Sequence, residues 1–128
     1  MIPRYRAWDK IHKTMYEVDD IMSIDFGKSE TSVKTLFFER TNYYKFDDIV
    51  LMQSTGLRDK NGKEIFEGDI LGTKDGLLNG VVKFNIDLGM WTNSLLRYNN
   101  FERLCNVASS RKIIGNIWEH PELAEVSS

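Results

Sequence analysis

The residues best placed to do chemistry in this chain form one acidic turn, two separated histidines and a lone thiol. Asp59 and Asn61 fall at the first and third positions of a calcium-loop pattern, where a cation needs oxygen donors. The fifth position is Lys63 and the sixth, where the sharp turn requires glycine, is Glu64. An ammonium group where a ligand oxygen belongs repels a cation, so Asp59-Lys60-Asn61-Gly62 is read as a hairpin turn. His12 and His120 lie near opposite ends of the chain, and neither has a Cys or a second His at ligand spacing. No metal site and no cofactor are expected.

Nucleophilic catalysis needs an activated side chain. Cys105 sits in Leu-Cys-Asn-Val with Arg103 as its nearest basic neighbour, a setting that predicts a buried, inert thiol. Carboxylates pair in several places (Asp19 with Asp20, Asp47 with Asp48, Glu67 with Asp69), but a turn stabilised by Asp side chains accounts for the last pair. No glycine-rich phosphate loop precedes a clear helix. The chain is therefore expected not to be an enzyme, and no catalytic residue is assigned.

Binding has more material. Arg4, Arg6, Trp8, Trp91 and Tyr98 are of the types that stack on a base or on the apolar surface of a partner. Against this, Trp8 and Trp118 read more naturally as core residues clamping the two ends of the chain. Trp91 lies nearest a turn and is the tryptophan best placed for exposure.

The elements that would position these residues are mostly strands. Arg4, Arg6 and Trp8 alternate with Tyr5 and Ala7, and Met22, Ile24 and Phe26 alternate with Ser23 and Asp25. A turn follows at Gly27, then a partner strand from Val33 to Glu39, with one helical turn near Met15 to Asp20. Residues 1–47 read as a small β-rich (α+β) lobe, with Tyr43, Tyr44 and Phe46 as a packing seam. A second part over 48–120 opens with a strand at Ile49 to Gln53. It continues through turns at Thr55-Gly56, Asn61-Gly62 and Glu67-Gly68-Asp69. Asn61-Gly62 predicts a two-residue type I′ hairpin, with φ > 0 at both positions. Gly80 to Phe84 should pair with Met90 to Thr92, while Leu95 to Val107 fits either a helix or a loop. Lys112 to Trp118 is a final strand, and Gly115 within it marks a bulge or a close backbone approach. Residues 121–128 read as a frayed tail. So frequent a reversal of short apolar segments predicts a mainly β protein with a small, sharply bent barrel.

Composition agrees. At 128 residues, with 41% apolar and 12% aromatic residues, the chain can bury a core. A formal charge of −2 gives no whole-molecule attraction to nucleic acid. Locally, Arg4, Arg6, Lys10 and Lys13 outweigh Asp9 at the start, whereas Glu119, Glu122 and Glu125 crowd the end. No apolar run approaches a membrane span, the first ten residues lack a signal-peptide pattern, and a single cysteine suits a reducing cytoplasm.

Four segments coincide in order: Arg6-Ala7-Trp8-Asp9, the block from Met52 to Ile70, Gly80-Val81-Val82-Lys83-Phe84, and Ile114 to Leu123 with its Gly-Asn-Ile-Trp-Glu-His-Pro-Glu-Leu core. Together they resemble the YopX family, small proteins encoded by bacteriophages and prophages of bacteria such as Bacillus. The resemblance implies a C-terminal SH3-type barrel joined to a smaller N-terminal part, in a phage product acting in the cytoplasm of the host cell. It brings no activity, cofactor or catalytic residue. The expected function is a non-enzymatic binding or protein-interaction module for a host or phage protein. Self-association through open strand edges is a further expectation. The alternative is a nucleic-acid-binding protein using the basic N-terminus.

Overall fold

The computed structural model describes residues 4–34 and 41–125. The chain is mainly β, 52% strand against 12% helix, with a sheet curled as a half-barrel. Among the described residues no helix is long and apolar enough to cross a membrane. Two compact units divide the chain, Met1–Gln53 and Ser54–Ser128.

The first unit holds β1 (Tyr5–Asp9), β2 (Thr14–Tyr16), β3 (Ile21–Asp25), β4 (Glu30–Lys34), β5 (Thr41–Lys45) and the first half of β6 (Ile49–Arg58). β1 lies between β2 and β6, antiparallel to both, and β3, β4 and β5 form a second antiparallel sheet in that order. The partner strand expected from Val33 to Glu39 starts earlier, at Glu30, and its part beyond Lys34 lies outside the described residues. The expected helical turn is a single 3-10 turn at Val18–Asp20, because Thr14–Tyr16 is taken up by pairing with β1. Ala7, Tyr16, Val33, Tyr44 and Ile49 form the buried core, with Ile21 and Leu51 packed against it.

The second unit contains the rest of β6, then β7 (Glu64–Phe66), β8 (Asp69–Gly72), β9 (Gly80–Asn85), β10 (Met90–Leu95), β11 (Phe101–Arg103), α1 (Leu104–Val107) and β12 (Lys112–Asn116). The division between units thus falls within β6, whose residues 49–53 pair with β1 and whose later residues pair with β7. The β6–β7 hairpin is present but differs from the expected two-residue turn. Of Asn61 and Gly62, only Gly62 has positive φ, at 80°. The Gly62 amide donates to the Asp59 carbonyl at 2.9 Å and the Asp59 amide to the Lys63 carbonyl at 2.9 Å. This is a wider loop closed by one left-handed glycine. The Asp59 side chain selects it: Oδ1 accepts the amides of Asn61 and Lys63, and Oδ2 accepts that of Ile113 on β12. Three backbone donors occupy the carboxylate that resembled a calcium ligand.

β11, β10, β9, β8 and β12 form one antiparallel sheet in that order, with Trp91 opposite Phe84 as the expected hairpin requires. Its curl follows from side-chain chemistry. Four strand spacings of about 4.8 Å would put β11 and β12 roughly 19 Å apart in a flat sheet. Yet Arg111, at the foot of β12, donates to both carboxylate oxygens of Glu102 on β11, at 2.6 and 2.7 Å. The segment between them, α1 and a 3-10 turn at Ala108–Ser110, buries Leu104 and Ala108 against Ile65, Leu71 and Val82. The region from Leu95 to Val107 therefore resolves as a short strand followed by one helical turn. Cys105, expected buried, is exposed, because in so short a helix Leu104 takes the inward position.

Gly115 marks a register shift in β12, as expected. A Cβ there would lie 2.7 Å from His120 Nδ1 and 2.9 Å from a Leu123 methyl. The backbone of Asn116 donates to the His120 ring and the Asn116 carboxamide accepts the amides of Trp118 and Glu119. His120 is therefore packed into a capped turn, not simply solvated, and Pro121–Ala124 forms a 3-10 turn where a frayed tail was expected.

Candidate functional site

The first unit holds a groove of about 720 Å³ along β3. It is lined by Ile21, Met22 and Ile24 of β3, by Arg4 and Tyr5 at the start of β1, and by Val18 and Phe26. Met22 is 59% exposed and Phe26 67% exposed. Large apolar side chains this exposed are the kind of feature that marks a candidate contact surface. Among the described residues β3 pairs only with β4, at one end of its sheet, and four of its residues, Ile21 to Ile24, line the groove.

Local chemistry sets the ends of β3. Before it, the Glu17 amide donates to the Asp20 carboxylate at 3.1 Å and the Asp20 amide to the Glu17 carbonyl at 3.0 Å, tying down the 3-10 turn. After it, Asp25 Oδ1 accepts the Lys28 amide at 3.0 Å, and Ser29 takes a left-handed conformation that closes the hairpin. Phe26 leans edge-on against Phe46, ring centres 5.8 Å apart.

A buried polar cluster holds the strands of the same unit. Asp9, fully buried, accepts the amides of Ile11 and His12 on Oδ1 and the Tyr16 hydroxyl on Oδ2, each at 2.9 Å. The His12 ring nitrogen Nδ1 lies 2.7 Å from Oδ2. Tyr16 gives its one proton to Asp9, so Tyr44, 2.9 Å away, donates to Tyr16. Burial by itself pushes the Asp9 carboxyl up, but the bonds from His12, Tyr16 and Ile11 outweigh it and hold the pKa below the ordinary value. Burial, then the bonds to Tyr44 and Asp9, push the Tyr16 hydroxyl far above its ordinary value. An ionised aspartate surrounded by donors is a structural tie. Among the described residues no group of three or more His, Cys, Asp or Glu could hold a metal.

The residues singled out from sequence do not assemble into one site. Arg4 is exposed and lines the groove. Arg6 and Trp8 are both 7% exposed, inside β1. Trp91 belongs to the second unit, where it is half-buried against the core with its ring edge-on to Phe84 at 5.2 Å. Tyr98, 51% exposed, also lies in the second unit. Met22 and Phe26 were visible in sequence only as a strand pattern. The signal that could have marked them is two large apolar residues flanking a strand that also carries Ser23 and Asp25.

Known proteins frame this geometry. The YopX protein family matches residues 4–125. The chain is similar to the crystal structure of protein EF1440 from Enterococcus faecalis, with 29% identity, a TM-score of 0.61, and 98% of this chain and 99% of that one covered. It is also similar in fold to protein yopX from Bacillus subtilis, with 20% identity, a TM-score of 0.63, and 98% of each chain covered. Among curated proteins none matches.

Proposed function

The chain belongs to the YopX family, and on that premise we propose that it is a non-enzymatic, phage-encoded binding module that takes an extended protein segment along β3. The carrying observation is the coincidence of a strand that pairs on one side only, among the described residues, with an apolar groove in which Met22 and Phe26 are more than half exposed. An incoming strand would satisfy the edge amides and carbonyls while its alternate side chains cover Met22, Ile24 and Phe26. The polar clusters that are well formed, around Asp9, Asp59 and Glu102, spend their oxygens on internal donors, which supports binding over catalysis. The five-stranded curled sheet of the second unit supports an SH3-type reading of that unit. The family supports action in the cytoplasm of a host cell. Nucleic acid is the less supported ligand, since Arg6 and Trp8 are held in β1 with little surface to offer a base.

Peptide selection from a random display library against the whole protein tests this. The expected winners are extended sequences with alternating apolar residues, and Phe26→Asp combined with Met22→Asp should weaken their binding at least tenfold without lowering the melting temperature. Peptides that bind the double variant as tightly as the wild type would refute the groove. Hydrolytic turnover by the pure protein, abolished by substituting one carboxylate, would refute the non-enzymatic reading.

A further inference from the structure

We propose that one face of the β3–β4–β5 sheet holds a binding pocket for a single sugar ring. The pocket measures about 180 Å³ and is lined by Ser23, Asp25, Lys28, Glu30, Ser32 and Tyr43. Apart from Ser23 it shares no lining residue with the groove, so it stands or falls independently of the protein-binding reading.

Strand register builds the pocket. Ser23 lies opposite Ser32 and Ser32 opposite Tyr43, so the three form a row across the sheet. Two positions along, Asp25 lies opposite Glu30, on the same face because side chains alternate with a period of two. Ile24, Thr31 and Tyr44 form the intervening row and belong to the other face, where Thr31 and Tyr44 are buried. The turn after β3 supplies Lys28, whose amide donates to Asp25 Oδ1.

The lining offers hydrogen bonding in both directions beside one aromatic ring. Ser32 is 5% exposed, and its Oγ lies 2.5 Å from that of Ser23. One hydroxyl donates to the other, so one proton of the pair is left for a ligand oxygen. Asp25 Oδ2 and the Glu30 carboxylate are acceptors, the Lys28 ammonium is a donor, and Tyr43, 69% exposed, offers its ring face. A sugar ring matches each of these groups. It is neutral, its hydroxyls donate and accept, and its apolar C–H face suits the negative face of an aromatic ring. An anion would meet two carboxylates, a bare cation would meet Lys28, and an apolar molecule would find no aliphatic side chain. Like charges directly opposite each other destabilise a sheet, as Asp25 and Glu30 do here. Two neighbouring hydroxyls, donating one proton to each carboxylate, would offset that repulsion. The volume is below the roughly 300 Å³ at which pockets for drug-sized ligands begin, which suits one ring.

Amide chemical shifts of the isotope-labelled full-length chain provide the test. Glucose, galactose and N-acetylglucosamine are titrated through the millimolar range, with glycerol as a polyol that has no ring. At least one sugar should shift the amides of Ser23, Ser32 and Tyr43 saturably, and glycerol should not. Tyr43→Ala and Glu30→Gln should each weaken that binding about tenfold at an unchanged melting temperature. Tyr43→Phe, which keeps the ring, should retain it. Maltose, lactose and chitobiose separate the two sources of such a ring. Tighter binding of a disaccharide than of its monosaccharide identifies the end of a glycan, and equal binding the free sugar. The absence of saturable shifts with every sugar would overturn the proposal, as would equal shifts from glycerol or binding that survives both Tyr43→Ala and Glu30→Gln. Selected peptides that still bind the groove in that case leave the protein-binding function in place.

Discussion

At the scale of single residues, the stability of this protein rests on a few positions where one atom cannot be added or removed. Gly115 is one: its φ is ordinary, so the constraint there is space alone. Gly115→Ala drives a methyl group into the His120 ring, which is held by the Asn116 amide, and into Leu123. The expected cost is about 1–3 kcal/mol, measurable as a shift in urea midpoint at unchanged slope. Asp9 is another, since its side chain satisfies a buried hydroxyl and two amides at once. The special role of Gly115 was legible in sequence, because a glycine weakens a strand and is kept inside one where the ladder bulges or another group comes close. That of Asp9 was not, because its partners, apart from the local amides and the His12 ring, come from Tyr16 and, behind it, Tyr44 on another sheet.

At the scale of elements, the closing contact of the curled sheet is the Arg111–Glu102 pair. Arg111 is 8% exposed and its guanidinium meets a carboxylate that also accepts from the Asn93 carboxamide. Removing one member of a pair this buried leaves the other charge without its counterion. Glu102→Ala should therefore destabilise by roughly 3–5 kcal/mol, and Glu102→Gln, which keeps an acceptor for Arg111, by clearly less. Equal losses for the two variants in urea melts would show that the pair does not close the sheet. The hairpin strands themselves were legible: a period-two run marks β3, and short strand segments separated by the Asp87-Leu88-Gly89 turn mark β9 and β10. The width of the β6–β7 loop was not, because it depends on Asp59 reaching Ile113, fifty-four positions away.

At the scale of the whole molecule, three buried or half-buried carboxylates set the response to acid. Burial raises the Asp59 pKa, but the amides of Ile113, Lys63 and Asn61 and the Lys63 charge bring it below the ordinary value. Hydrogen bonds from Arg111 lower that of Glu102, burial opposes them, and Asn93 adds to the lowering. Asp9 is lowered as well. Each group binds its proton more readily in the unfolded chain. Their stabilisation is thus fully present above the unfolded value of about 4 and is lost as pH falls through the lower folded values. Urea midpoints should be flat from pH 7 to about 5 and fall steeply below about 4. Asp59→Asn should start less stable at neutral pH and lose less on acidification. A wild-type midpoint unchanged down to pH 3 would contradict this account.

The sequence alone determined the mainly β character and the family, because both depend on local signals: alternation, turn glycines and short ordered motifs. The tertiary structure decided which residues form a site. Arg6 and Trp8 were candidates for binding, with Trp8 read more naturally as core, and the fold buries both in β1, whereas Met22 and Phe26 looked like ordinary strand residues until the fold left them more than half exposed. Burial is a property of neighbours distant in the chain, and local periodicity carries no record of them.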